Sequence, residues 1–453
     1  MGKRLLIFFL LFFVLQSGFS QEISIGKRDK VYSEILQQDR EFSVYLPPSY
    51  NIAVNQKYPV LYILDGDYNF QYVAGILELQ GGISEVIPEM ILVAISGKGT
   101  NEYRRNCKPK IDGLEDSGNA EEMASFIERE LIPYVNKNYK AADYKILGGH
   151  SVGGIFVINT AINHPDLFND YIAISPALWW GKNAMENVME NTWGKTGSTT
   201  ASVYISLANE QGMGVNEFIK KIPKNMMEKN IHFQEFPNEI HNSVGLPTYK
   251  WALGDIFKNW YVKEEYFGSA EALKNHYSEV KKQYGSIFNI PYTIVGNTHY
   301  MLQKNEKERA KVQAVLKELN PNALVLFNTY RAGKILADKK YEEAENLLNE
   351  ALTINPNNFD SYNVLAKIKM ANGNAAEANE TINKAINLAN QQQARQWQIN
   401  ELLETRVRPA VAGRIHRDSP FQTTRFHGMS TIRLPTVAGW LFVATIGLLQ
   451  ALP

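Results

Sequence analysis

Between Glu22 and Trp260, short apolar runs rich in β-branched and aromatic residues alternate with helical stretches, and this alternation restricts the fold more than any other feature of the chain. The runs that fit strands are residues 42–46, 59–64, 90–95, 144–147, 171–175, 203–208 and 232–236. Several are apolar throughout rather than at every second position, as expected of strands covered on both faces. Helical spacing fits residues 120–139, 154–163, 216–230 and 246–260. The expected fold class is therefore α/β, a mostly parallel sheet with helices on both faces. The stretch "RDKVYSEILQQDREFSVYLPPSY" reads as an edge hairpin of that sheet.

The chain has 453 residues, more than one hydrophobic core usually organises. A second texture begins near Lys263, helical and rich in Lys, Glu and Asn. Aligned on itself it repeats every 34 residues: Ala332, Tyr341, Ala344, Ala351, Leu352 and Ile354 recur as Ala366, Ala375, Ala378, Ala385, Ile386 and Leu388. That period and its small residues resemble tetratricopeptide repeats, with Pro356 closing one unit and Pro321 closing a weaker one before it. An ordinary helical bundle is the alternative.

Both ends of the chain differ from what lies between. Met1 to Ser20, "MGKRLLIFFLLFFVLQSGFS", has Lys3 and Arg4, an apolar run over 5–15, and small residues Gly18 and Ser20 ahead of a cut before Gln21. It reads as a cleaved export signal, which places the mature protein in the periplasm or outside the cell. From Arg395 onward the chain uses seven arginines and no lysine, against 32 lysines and eight arginines before it. Residues 436–449 are apolar but too few to span a bilayer. This tail is either a peripheral anchor or packed terminal helix, or a segment unrelated to the fold, and it receives no function. The expected division is a signal at 1–20, a catalytic domain at 21–262, helical repeats at 263–394 and an unassigned tail at 395–453.

Lysine plus arginine equals aspartate plus glutamate at 47 each, so no net field argues for a nucleic acid or an anionic membrane as partner. Cys107 is the only cysteine, which excludes an intramolecular disulfide and a cysteine-based zinc site. No H-E-x-x-H, P-loop or G-x-G-x-x-G follows a strand. No metal or cofactor is expected.

Gly149-His150-Ser151-Val152-Gly153 fits G-x-S-x-G, between a strand run and an apolar helical run. In that context Ser151 occupies a tight strand-to-helix turn that lifts its hydroxyl above the sheet, as a nucleophile requires. A serine needs a base, and in this topology the chain order is serine, acid, histidine. Of the histidines beyond Ser151 in the first domain, His164 ends the helix leading away from the turn and His232 lies in a strand run. His241 follows the last strand and precedes the final helix, where the base belongs. Nine carboxylates lie between Ser151 and His241, and Glu210 alone stands just beyond the strand at 203–208; Glu217 is second choice, and a solvated loop glutamate remains the alternative. The backbone N–H groups of Val152 and Asp67 are the candidate oxyanion donors, Asp67 from the "DGD" turn after the strand at 59–64.

"YPVLYILDGD", "GGHSVGGIFVINTAINHPDLFNDYIAISPALWW" and "IHNSVGLP" resemble the esterase branch of the α/β-hydrolases, which includes esterase D, siderophore esterases and the mycolyltransferase antigen 85 group. The resemblance covers about Glu22 to Trp260 and implies a triad of Ser151, Glu210 and His241. The family's RxRDxTP segment falls on Tyr103 to Pro109, where Arg105 and Pro109 match while the first Arg and the Asp are absent. That departure argues against an acidic, siderophore-like substrate. Arg105 either faces a carboxylate or polar acyl group of the substrate or is solvated; Trp179 and Trp180 either line an aromatic pocket wall or pack. The resulting expectation is an exported serine hydrolase of carboxylic esters, whose partners are a small ester and, through the repeats, a protein or a second copy. Acyl transfer by the same site, and a non-catalytic binding protein acting through the repeats, are the alternatives.

Overall fold

A computed structural model of the chain describes residues 24–407; residues 1–23, where the expected export signal falls, and residues 408–453, including the apolar run at 436–449, lie outside the described residues. The first half is built from β1 (Lys27–Ser33), β2 (Gln38–Tyr45), β3 (Tyr58–Ile63), α1 (Gly66–Leu77), β4 (Ile91–Ile95), α2 (Thr100–Cys107), α3 (Ala120–Phe126), α4 (Ile132–Asn138) and β5 (Ala141–His150). It continues through α5 (Val152–Asn163), β6 (Asp170–Ile174), α6 (Trp180–Thr196), β7 (Ser202–Ala208), α7 (Val215–Lys221), α8 (Lys224–Met227), β8 (Ile231–Phe236) and α9 (Gly245–Ile256). The eight strands form one sheet in the order β1-β2-β4-β3-β5-β6-β7-β8. β1 and β2 form the antiparallel edge hairpin, β2 pairs antiparallel with β4, and every other pair is parallel.

Each expected strand run is a strand of this sheet, and the helices differ from expectation in ways their residues explain. The stretch 120–139 is α3 and α4 joined by a π-helical segment, Ile127–Leu131. The stretch 216–230 breaks into α7 and α8 at Pro223, which has no N–H to donate and holds Ile222 extended, with ψ at 134°.

Strand residues alternate between two buried faces. Val60 and Tyr62 join one core with Phe126, Leu147 and Phe156, while Leu61 and Ile63 join the other with Ile146, Ile172 and Tyr204. That second face carries α1 and α9, and then the chain adds α10 (Ala270–Tyr284), α11 (Tyr292–Met301), α12 (Glu306–Leu319), α13 (Pro321–Leu336), α14 (Tyr341–Ile354), α15 (Phe359–Ala371), α16 (Ala375–Gln391) and α17 (Gln396–Val407). The second core runs unbroken from the sheet through Trp260, Tyr277, Tyr284 and Phe288 to Phe327. Tyr144 on β5 meets Phe257, Tyr284 and Phe288 at ring distances of 5.7, 5.5 and 6.1 Å. The change of composition at Lys263 therefore marks a change of secondary structure, not the end of a core. Tyr284→Ala is expected to lower stability by about 3 kcal/mol in urea unfolding, with sheet and helices melting together; a sheet signal that survives while the helices melt would contradict it.

The 34-residue period has a packing basis. Ala332, Ala344 and Ala351 and their counterparts Ala366, Ala378 and Ala385 are all buried where helices approach closely. The boundary expected at Arg395 is corrected: α17 packs on the stack through Leu402, buried with Phe359, Ile382 and Ala389. Its cation preference says nothing about packing; its apolar spacing, Ile399, Leu402 and Leu403, does.

The turns between repeats grip the sheet domain. Asn322 exchanges two hydrogen bonds with the backbone of Val54, at 3.0 and 2.8 Å; Asn355 donates to the Ile52 carbonyl at 2.9 Å, and Asn51 donates to the Gln392 carbonyl at 3.2 Å. Arg395 pairs with Glu78, and the backbone N–H of Tyr292 donates to Glu85 at 2.8 Å. Residues 51–54 precede β3, so these grips fall at the N-terminal ends of the parallel strands.

Candidate active site

At the opposite ends of those strands, β5 passes directly into α5 through Ser151, which adopts φ 56° and ψ −113°. A non-glycine residue held there costs on the order of 1–3 kcal/mol and persists only where its surroundings fix it. Here they do: the Ser151 N–H donates to the Ile174 carbonyl at 2.9 Å, and its own carbonyl accepts from Ala177 at 3.0 Å. The flanking glycines leave the room required. A Cβ on Gly149 would stand 2.5 Å from the Gly153 carbonyl oxygen, and one on Gly153 2.6 Å from the Tyr103 hydroxyl.

His241 lies on the loop between β8 and α9, and its Nδ1 is 2.8 Å from Glu210 Oε2. The approach is close but too bent for a well-aligned hydrogen bond. Glu210 sits in the turn after β7, and the two loops are tied together by the Asn209 N–H, which donates to the Glu239 carbonyl at 2.9 Å. Glu217, the second choice, is exposed on the first turn of α7, away from His241. His164 instead contacts Glu121 at 2.7 Å, and His232 stacks on Tyr204 at 4.4 Å.

His150 is a site residue that motif reading passed over. Its ring packs against that of His241 with centroids 4.5 Å apart and planes tilted by 39°. Burial, then the neighbouring His241, pushes its pKa down to about 4, so it stands neutral against His241, its Nε2 buried without a hydrogen-bond partner. Its position as the variable residue of G-x-S-x-G was the available signal; its contact with a residue 91 positions later was not. Because His150 immediately precedes Ser151, this stack places His241 beside the Ser151 turn. Ser151 Oγ itself has no hydrogen-bond partner among the described residues; catalytic hydrogen bonds commonly tighten only once substrate is bound.

The N–H groups of Val152 and Asp67, each in the first turn of a helix, have no hydrogen-bond partner among the described residues. The Asp67 carboxylate is held by the Ser96 hydroxyl at 2.6 Å and the Gly97 N–H at 3.0 Å, which fixes the turn that presents its backbone. Asp65, with φ 54°, opens that turn, and burial raises its carboxyl to about 6.

Of the three residues expected to meet substrate, Arg105 is exposed on α2 and Trp179 is exposed ahead of α6. Trp180 is turned into the core, its indole N–H donating to Asp116 at 3.1 Å, so it packs and lines no open wall. Among the described residues, no group of His, Cys, Asp and Glu is placed to hold a metal ion, and no helix is long and apolar enough to cross a membrane.

Comparison with known proteins agrees with this fold. A family model described as "Putative esterase" matches residues 33–213, and a tetratricopeptide repeat model matches residues 336–400. The ferri-bacillibactin esterase BesA of Bacillus subtilis is 28% identical over 164 residues, covering 32% of this chain and 56% of the relative. The siderophore triacetylfusarinine C esterase of Aspergillus fumigatus is 29% identical over 131 residues, covering 27% and 45%. The chain thus spans about half the length of these curated relatives. Among solved structures, an IroE-like serine hydrolase from Shewanella oneidensis shares the fold, with TM-score 0.55 and 21% identity over 65% of this chain and 99% of that one. A protein from Capnocytophaga ochracea matches at TM-score 0.50 and 16% identity over 84% of this chain and 99% of its own, a fold likeness extending beyond the sheet. Residues 33–213 of the sheet domain are thus similar to the esterase family, and the helical region that follows is similar to tetratricopeptide repeats over residues 336–400.

Proposed function

We propose that the protein is an exported serine esterase that cleaves carboxylic esters through an acyl-enzyme. The observation that carries this reading is the meeting of His241 with both Glu210, at 2.8 Å, and His150, the residue next to Ser151 in a strained turn. His241 Nε2 takes the proton of the Ser151 hydroxyl as Oγ attacks the ester carbonyl, and the Val152 and Asp67 N–H groups receive the oxyanion. The carbon–oxygen bond to the alcohol breaks, the alcohol leaves with the proton from His241, and water repeats the sequence to release the acid and free Ser151. An alcohol in place of that water turns the same site to acyl transfer. Export follows from the sequence of residues 1–20, and the repeats offer the surface for a protein partner.

The test separates the acid from its neighbour. With 4-nitrophenyl acetate, Glu210→Gln is expected to lose about 10³- to 10⁴-fold in kcat, while Glu217→Gln stays within about twofold of the parent. Equal losses would remove Glu210 from the triad. A fluorophosphonate probe should label Ser151, as read by peptide mass; an unlabelled Ser151 would favour a binding protein acting through its repeats.

A further inference from the structure

Large apolar side chains exposed on a folded protein cluster where something binds. Three of them lie on the segments that carry His241 and Asp67. Tyr68, 83% exposed, is the residue after the oxyanion donor Asp67; Ile240, 66% exposed, precedes His241; Leu246, 52% exposed, lies on the first turn of α9. They belong to one surface because α1 and α9 pack together beneath them. The Tyr72 hydroxyl, one helical turn below Tyr68, presses on Gly245, where a Cβ would stand 2.5 Å away, and the Tyr72 and Tyr249 rings lie 6.3 Å apart. Tyr68 and Leu246 thus lie on the exposed sides of two helices that pack together, with Ile240 on the loop that enters the second. Trp179 stands apart from them, on the loop after β6, its N–H bonded to the Met213 carbonyl at 2.9 Å.

Which half of an ester would lie there follows from the chemistry. The proton that His241 takes from Ser151 goes to the leaving alcohol, so the alcohol oxygen must lie against His241 and the alcohol group must extend over that side. Resting on the esterase reading, we propose that the alcohol half of the substrate is bulky and apolar and lies along the shelf made by Tyr68, Ile240 and Leu246. The carboxyls bordering the shelf agree with this assignment. Asp65 opens the turn that carries Tyr68, and Glu239, two residues before His241, binds the Ser243 hydroxyl at 2.5 Å; both disfavour an anionic alcohol. The acyl half is left to the Trp179 side.

Matched ester series distinguish the halves. With the full chain and pH-stat titration, kcat/KM should rise on the order of tenfold from methyl to butyl to hexyl acetate as methylenes leave water. The rise from methyl acetate to methyl hexanoate should be smaller. Tyr68→Ser and Leu246→Ser, both at exposed positions, should flatten the alcohol series to about twofold. An alcohol series that is flat in the parent, a steeper acyl series, or a slope untouched by either substitution would each overturn the shelf while leaving the esterase reading standing. No turnover of any ester, with Ser151 unlabelled by fluorophosphonate, would overturn both.

Discussion

Ser151→Ala is expected to reduce ester turnover by roughly 10⁵- to 10⁶-fold, because no other hydroxyl is held at the strand-to-helix turn beside the paired His150 and His241. The residual rate, from oxyanion donors and binding alone, should still exceed that of ester in buffer. The geometry adds a second readout. Alanine at φ 56° is as strained as serine, so its melting temperature should match the parent, whereas Ser151→Gly relieves the strain and should be more stable by about 1 kcal/mol. A variant that loses activity by unfolding would show the reverse ordering. Steady-state kinetics and thermal unfolding of both variants decide between local chemistry and global damage.

His241→Ala should be nearly as severe, about 10⁵-fold in kcat, with KM changed little, because the base acts on the proton and not on ground-state binding. The double variant Ser151→Ala/His241→Ala should be no slower than either single one, since two members of one unit are lost only once. If the two losses multiply, the residues act independently and the proton route through His241 is wrong. His164→Ala is the matched comparison, since that imidazole is engaged by Glu121 at 2.7 Å.

What the chain disclosed in advance was governed by how local each cause is. The strands could be read because their apolar residues reflect burial on both faces, and the Ser151 turn because glycines are required beside it. Chain order alone selected His241 and Glu210, which meet at 2.8 Å. Three helices went unread. α1 and α2 begin in turns set by Asp65 at φ 54° and Gly99 at φ 89°, and α6 contains Gly181, Lys182 and Asn183 at positive φ, so none shows a clean helical period. Trp180 and Trp179 are neighbours with opposite fates, and only the partner of the indole N–H, Asp116 on a distant loop, separates them. The stack of His150 on His241 and the aromatic seam from Tyr144 to Tyr284 both depend on residues far apart in the chain. Such pairings leave no mark on local composition.

A helical solenoid joined only to its neighbours along one axis behaves as a spring, since each small rotation between repeats adds to the next. Here the spring is clamped. Asn322 and Asn355, from successive turns of the stack, and the Gln392 carbonyl from a third, all hold the short segment from Asn51 to Val54, itself fixed to the start of β3. Bending the stack would break bonds at several turns at once, so its curvature is set by the sheet domain. Whatever ligand such a surface accepts would meet a preformed shape and lose little free energy to ordering it. The same clamp keeps that surface at a constant distance from Ser151 at the other ends of the strands, so a bound partner would be presented rigidly and not swept across the catalytic mouth.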